Sequence, residues 1–135
     1  MQKETMVCTD FWSESEGVMM TPHDKYFYLY LLSNAGTNHI GIYQITINQM
    51  AFDLGYTIET VNLLMERFIQ HHKLIRYNPE SREIGIKNWG NHNPYDNYKH
   101  VLDCMYYELK GVCDPSLIPY VTQSIQGQEI RGLYE

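Results

Sequence analysis

The chain has 135 residues, of which 44% are hydrophobic and 13% aromatic, and its formal net charge is −6. This length predicts one domain with a buried core, and the composition is typical of a globular protein rather than a disordered one. The acidity excludes nucleic-acid binding through a uniformly positive surface, and no apolar run approaches the roughly 20 residues of a membrane helix.

Residues 1–20 are predicted to form an arm that packs on its own domain or on a second copy. Phe11 and Trp12 lie within it, and both side chains are too large and apolar to remain in water at little cost. The first helix is expected at Thr21, which can cap it, with Pro22 in its first turn. Because large apolar residues cover most of this helix, it should be central or lie at an interface.

Two short helices around one glycine follow a short β-type run at Gly41–Ile45. Thr46 and the amide three residues later predict a capping box, and Thr57 is expected to cap the second helix. Gly55 should end the first helix, because glycine adopts a left-handed conformation at little cost. Small, turn-forming and branched apolar residues are spaced as a helix-turn-helix requires: Ala51, Gly55, Val61 and Leu64.

A β-hairpin is predicted next, since "KLIRY" and "REIGIKNW" flank "NPES", which suits a type I turn. A further helix is expected over 98–110, ended by Gly111. We therefore predict a mostly α fold with a small hairpin or three-stranded sheet: a winged helix-turn-helix over 21–111 with an additional C-terminal helix. Residues 112–135 lack steady periodicity and are predicted to be a linker or tail.

The second helix of the helix-turn-helix is an unusual candidate for reading DNA. Its outward positions are predicted to be Glu59, Thr60, Asn62, Leu63, Glu66, Arg67 and Gln70. Bases are usually read by the N-terminal part of such a helix, where Glu59 would oppose phosphates. A solvated helix face is the better explanation of these residues.

The hairpin, or wing, is the better candidate for DNA contact. Residues 67–100 hold six basic and three acidic side chains, net +3, whereas residues 1–66 hold two basic and eight acidic ones, net −6. Basic side chains on a hairpin suit contacts to backbone phosphates, and such contacts position a protein on DNA without sequence specificity. The alternative is that these cations only solubilise the hairpin. The candidate backbone contacts are Lys73, Arg76, Arg82 and Lys87.

No motif predicts a catalytic residue, a metal site or a cofactor. The adjacent His71 and His72 are expected to point apart on a helix and to make a poor metal pair. The cysteines, Cys8, Cys104 and Cys113, match no metal spacing, and we expect reduced thiols in a cytoplasm. At Cys104 and Cys113 we expect the thiol to be buried. Neither a phosphate-cradling glycine loop nor a nucleophile elbow is found, so we do not expect an enzyme.

Self-association is predicted from the number of large aromatic residues, which exceeds what one small core can hide. Exposed apolar patches above a few hundred Å² usually mark an interface. The candidates lie outside the helix-turn-helix: Phe11, Trp12, Tyr26, Phe27, Tyr30, Tyr106 and Tyr107.

Taken together, "FW", "TPHDKYFYLYLLSN", "GIYQIT", "MAFDLGY", "RFIQHHKLIRY" and "IKNW" resemble the N-terminal domain of DnaD-like replication proteins of Gram-positive bacteria and their phages. The resemblance covers about residues 8–110. It implies a primosome module of the bacterial cytoplasm or nucleoid that self-associates and contacts replication initiator or helicase-loading proteins. The family's C-terminal signature of spaced Tyr, Ile and Trp is not found after residue 111, so the chain resembles an N-terminal part or a short member.

This resemblance implies at most weak, non-specific DNA contact through the wing. Two other functions remain open at this level. The first is a winged-helix transcription regulator that reads a palindrome with residues 57–67. A footprint on a defined DNA sequence would favour this function. The second is an oligomerisation scaffold that contacts no DNA.

Overall fold

The computed structural model describes residues 20–87, 89 and 99–122. A five-residue π-helical turn, Arg67–His71, directly continues the second helix of the helix-turn-helix. The fold is the predicted one, a mostly α winged helix-turn-helix with a small three-stranded sheet. Its elements are α1 (Pro22–Ser33), β1 (Ile42–Gln44), α2 (Ile47–Leu54), α3 (Ile58–Glu66), β2 (Ile75–Asn78), β3 (Glu83–Ile86), α4 (Lys99–Lys110) and α5 (Leu117–Thr122).

The sheet has the order β1-β3-β2, and both pairs of strands are antiparallel. Ile84 of the central strand pairs with Tyr43 on one side and with Tyr77 on the other. The predicted hairpin turn is confirmed, because the Asn78 side chain accepts hydrogen bonds from the backbone N–H groups of Glu80 at 2.9 Å and Ser81 at 3.2 Å. Such an Asx turn explains why the chain reverses at this asparagine.

Helix α1 begins with a complete capping box. Thr21 accepts a bond from the backbone N–H of Asp24, whose carboxylate accepts one from the backbone N–H of Thr21. The inward face of α1 fills the core, which confirms a central helix. Four of its side chains are buried hydrophobic residues: Phe27, Tyr28, Leu31 and Leu32.

The turn between α2 and α3 is confirmed at Gly55, which has φ +76° and donates its N–H to the Ala51 carbonyl at 3.0 Å. Thr46 and Thr57 cap the two helices as predicted. The capping box expected at Thr46 is wrong in its second half. The Gln49 side chain donates to Asp53 at 2.8 Å, one helical turn further on, instead of returning to the cap.

Residues 112–122 belong to the domain, so the predicted boundary at residue 111 is too early. Leu117, Tyr120 and Val121 of α5 are buried, and the side chains of Leu117 and Val121 lie against Gly85 of β3. Two prolines and the shortness of α5 hide its periodicity in the sequence. None of the helices in the described ranges is both long and apolar enough to cross a bilayer.

A buried carboxylate fixes the segment that precedes α5. Glu83, at the start of β3, is 3% exposed. One of its oxygens accepts the backbone N–H of Cys113 and the other that of Asp114, each at 2.8 Å. The Ser81 hydroxyl donates to the same carboxylate at 2.9 Å. These bonds replace the water that a buried carboxylate loses, and they hold the chain between α4 and α5 against the sheet.

Candidate functional site

The outward face of α3 carries the side chains predicted for it. Glu59, Asn62, Leu63 and Glu66 are all exposed, and Leu63 has 62% of its surface open to solvent. Thr60 is only half-exposed, and its hydroxyl accepts a hydrogen bond from that of Thr57 at 2.9 Å. A helix with this face offers acidic and apolar groups in the positions from which bases are usually read.

Negative charge dominates the whole helix-turn-helix. Residues 47–66 contain three acids, Asp53, Glu59 and Glu66, and no lysine, arginine or histidine. The first cation after them is Arg67, in the π-helical turn. Because DNA presents one negative charge per ≈ 1.7 Å of its axis, this surface repels the backbone rather than attracting it.

Arg67 forms an ion pair with Asp24, a completely buried carboxylate at the start of α1. Its Nη2 lies 2.6 Å from Asp24 Oδ2, and its Nε donates to Oδ1 at 3.2 Å. His72 Nε2 lies 3.1 Å from Oδ2. Burial acts to raise the pKa of Asp24, but the hydrogen bonds from Arg67 and His72 outweigh it and lower this pKa to about 2. The carboxylate therefore stays ionised and keeps Arg67 close to the protein.

The sequence analysis did not predict this cluster. No local spacing signals a pair that is separated by 43 residues.

The expectation that the two adjacent histidines, His71 and His72, point apart is wrong. The rings of His71 and His72, at the end of the π-helical turn, meet edge to face with centroids 5.0 Å apart. Within the described ranges no three His, Cys, Asp or Glu side chains are grouped to hold a metal ion.

The basic residues of the wing do not all lie together. Arg76 stacks over the ring of Tyr120 in α5, with 4.4 Å from its Cζ to the ring centroid. The Tyr120 hydroxyl donates to the backbone carbonyl of Lys73 at 3.2 Å. Burial raises the pKa of Tyr120 to about 12, with Arg76 acting in the opposite direction, so the hydroxyl keeps its proton. Tyr120 thus holds Arg76 and the backbone of Lys73 at the base of the wing. The prediction of a linker or tail over 112–135 gives no indication of this role.

Arg82 lies in a different environment, on the wall of an open groove of about 610 Å³. The groove runs between the end of α1, the start of α2 and the wing turn, and Gln49 and Asp53 also line it. Asp53 accepts a hydrogen bond from the Tyr30 hydroxyl at 2.6 Å. With one cation and one anion on its walls, the groove has no clear preference for a charged ligand.

Two of the wing cations lie where the backbone is left-handed. Lys73 has φ 55° and Arg82 has φ 59°, and both side chains are exposed. Residues other than glycine, asparagine and aspartate rarely adopt this conformation. Lys87, the fourth predicted contact, is half-exposed, and its N–H donates to the Leu74 carbonyl at 2.9 Å.

The aromatic candidates for self-association fall into four groups. Tyr26, Tyr106 and Tyr107 are exposed, and Tyr107 has 72% of its surface open to solvent. Phe27 is a correction: it is fully buried and packs edge to face on Phe68 at 5.1 Å, so it cannot offer its ring to a second copy.

Tyr30 is half-buried and bonded to Asp53. Phe11 and Trp12 lie outside the described residues. The expectation of buried thiols is wrong for Cys104 and Cys113, which are both exposed.

Phe52 was not singled out in the sequence, although 83% of its surface is exposed. It follows Ala51 in α2, and the neighbouring positions that face inward are Met50, Ala51 and Leu54. The available signal was its place in that helical pattern, on the side opposite the buried residues. Single exposed apolar residues are common on protein surfaces, so Phe52 indicates a contact surface only together with other exposed apolar side chains.

No protein-family model, no curated protein and no solved structure matches this chain. The function must therefore be argued from the surfaces themselves.

Proposed function

We propose that this chain is a winged-helix module of a DnaD-like replication-initiation protein that works through protein contacts. Its partners are a second copy of itself and replication initiator or helicase-loading proteins. DNA contact is weak, independent of sequence and confined to the wing. The resemblance of the sequence segments to DnaD-like proteins supports the family. The negative charge of the helix-turn-helix supports a function through protein contacts, with DNA contact confined to the wing.

One observation carries the proposal. The helix-turn-helix, residues 47–66, has no cation, and the nearest one, Arg67, is paired with buried Asp24. A helix that enters the major groove must pass between two rows of phosphates, where Glu59 and Glu66 are repelled. The shape of a DNA reader is therefore retained without the charge that a DNA reader needs.

The wing supplies the remaining affinity for DNA. Its four cations bind phosphates without reading bases, since backbone contacts carry no sequence information directly. Because each phosphate contact releases about one counterion, binding should weaken steeply with salt. Arg76 and Lys73 lie together beside Tyr120, and Arg82 lies apart from them at the groove.

Fluorescence anisotropy with two unrelated duplexes, each at low and moderate salt, tests the proposal. We expect similar weak binding to both duplexes and its loss at moderate salt. Reversing Arg76 and Arg82 to glutamate should remove binding. Changing Thr60 and Asn62 to alanine should leave it unchanged. Thermal melts of the Arg76→Glu variant are needed as a control, because that change also removes the stacking on Tyr120.

Two outcomes would contradict the proposal. Tight binding to one duplex, abolished by Asn62→Ala and unaffected by the wing reversal, would establish a transcription regulator instead. Failure to bind any duplex even at low salt would leave an oligomerisation scaffold without DNA contact.

A further inference from the structure

The α2–α3 surface exposes large apolar side chains that nothing in the described part of the chain covers. Phe52 of α2 and Leu63 of α3 are 83% and 62% exposed, and Ile58 at the start of α3 is about half-exposed, at 49%. The three side chains lie on two helices of eight and nine residues that pack against each other. Apolar surfaces of this kind mark binding sites more often than single exposed residues do.

Acidic side chains surround the leucine on this surface. Glu59 lies four residues before Leu63 and Glu66 three residues after it, so both are its neighbours on the outer face of α3. The pKa of Asp24 stays low because Arg67 and His72 bind it, and its pairing with Arg67 leaves the acids of α3 without that cation. A group that packs on Leu63 therefore enters a negative field.

We propose that this acidic–apolar face (Phe52, Ile58, Glu59, Leu63 and Glu66) binds a positively charged amphipathic helix of another protein. Apolar side chains of that helix cover Phe52 and Leu63, and its lysines or arginines pair with the flanking glutamates. This is the helix-in-groove mode of recognition, in which apolar anchors supply affinity and charge supplies selection. The inference rests on the proposed function, since it names the chemistry of a partner for the protein-binding surface.

Charge excludes the other occupants of this face. DNA is repelled by the three acids of residues 47–66. A symmetric dimer through this face would bring the glutamates of one copy, Glu59 and Glu66, against those of the other, and like charges that meet across an interface weaken it. A partner that is both apolar and basic satisfies the apolar and the acidic residues together.

The test uses the whole chain and two fluorescein-labelled peptides of roughly 18 residues that share one helical pattern of leucines. One peptide carries lysine at the remaining positions, and the other carries glutamate. We expect the lysine peptide to bind and the glutamate peptide not to bind. Leu63→Ser and Phe52→Ser should each weaken binding roughly tenfold. The double change Glu59→Lys and Glu66→Lys should invert the preference between the two peptides.

The matched control lies on α4, outside the helix-turn-helix. Asp103→Lys makes the same charge change as Glu59→Lys at another exposed position. This control should leave the affinity for the lysine peptide within a factor of about two. Thermal melts of every variant establish that the fold is retained.

Several results would overturn the inference. They are an absence of lysine-peptide binding, an equal loss in the Asp103→Lys control, and binding that survives Leu63→Ser and Phe52→Ser together. Sedimentation that shows self-association abolished by Leu63→Ser would assign the face to a second copy. None of these results alters the duplex experiment, so the proposed function can fail or succeed separately.

Discussion

The guanidinium of Arg67 makes two hydrogen bonds to the carboxylate of Asp24, across 43 residues of chain. The pair joins the first turn of α1 to the π-helical continuation of α3. The same carboxylate also closes the capping box of α1 with Thr21. Asp24 therefore fixes the start of α1 and the orientation of the helix-turn-helix together, and removing it should affect both.

The first prediction concerns pH. The pKa of Asp24 is about 2 in the folded chain against an ordinary value of 3.8. A carboxyl group whose pKa is lowered on folding stabilises the protein above its unfolded pKa, and this stabilisation is lost as pH falls through the folded value. We expect roughly 2 kcal/mol to be lost between pH 4 and pH 2. Urea unfolding across this range measures it.

Asp24→Asn is the variant that isolates this effect. It should be less stable than the wild type at neutral pH and should lose less stability on acidification. Asp103→Asn, at an exposed position on α4, is the matched control and should follow the wild type. Parallel pH profiles for wild type and Asp24→Asn would show that the ion pair does not contribute to stability.

The second prediction concerns the two left-handed glycines. Gly55→Val should cost roughly 1–3 kcal/mol, because a β-branched residue is strained at φ +76°. A Cβ at Gly55 would meet nothing within 4 Å, so this cost is one of backbone conformation. A Cβ at Gly41, which has the same φ, would collide with the Trp89 side chain.

Gly41→Ala should therefore destabilise the domain more than Gly55→Ala does, although both changes add the same methyl group. Thermal melts of the two variants provide the comparison. Equal losses would mean that Trp89 can move away from Gly41 without penalty.

The third prediction concerns the attachment of α5. Glu83→Gln replaces one carboxylate oxygen by an amide NH₂, which then faces a backbone N–H of Cys113 or Asp114. Two donors that face each other leave a buried group unsatisfied, so we expect a loss of about 1–3 kcal/mol. Amide hydrogen exchange at these two residues should speed up. Glu80→Gln, in the exposed hairpin turn, is the control, and an equal effect of both changes would refute the anchoring role.

The fourth prediction concerns self-association through α4. Tyr106 and Tyr107 are both exposed, whereas Phe27 is buried and no longer a candidate. Changing the two tyrosines to serine should weaken self-association roughly tenfold or more, because buried tyrosines are common hot spots. Light scattering at micromolar concentration measures it, and Ile69→Ser serves as a control on another surface. A strict monomer for the wild type would remove this prediction entirely.

Local rules predicted much of the fold from sequence. The cap at Thr21, the helix end at Gly55 and the turn at Asn78 depend on bonds to residues at most four positions away, so spacing alone predicts them. The apolar stripe of α3 is local in the same sense, because helical periodicity determines which side chains face inward.

The features that the sequence did not predict depend on contacts between residues that are distant in sequence. The Asp24–Arg67 pair, the Glu83 anchor of residues 113 and 114, and Tyr120 beneath Arg76 all join separate elements. The exposure of Phe52 could have been derived from the helical pattern of α2. The separation of Arg82 from Arg76 depends on distant contacts as well, since Arg76 stacks on Tyr120 of α5 whereas Arg82 lines the groove beside α2.

The left-handed backbone at Lys73 and Arg82 has a practical consequence. Glycine tolerates this conformation better than lysine or arginine does, so Lys73→Gly and Arg82→Gly delete a cation without straining the fold. A substitution that weakens both binding and folding leaves the two effects difficult to separate. At these two positions they are separated, since the domain should keep its stability while its affinity for phosphates falls. A loss of DNA binding in such a variant could be attributed to the missing charge alone.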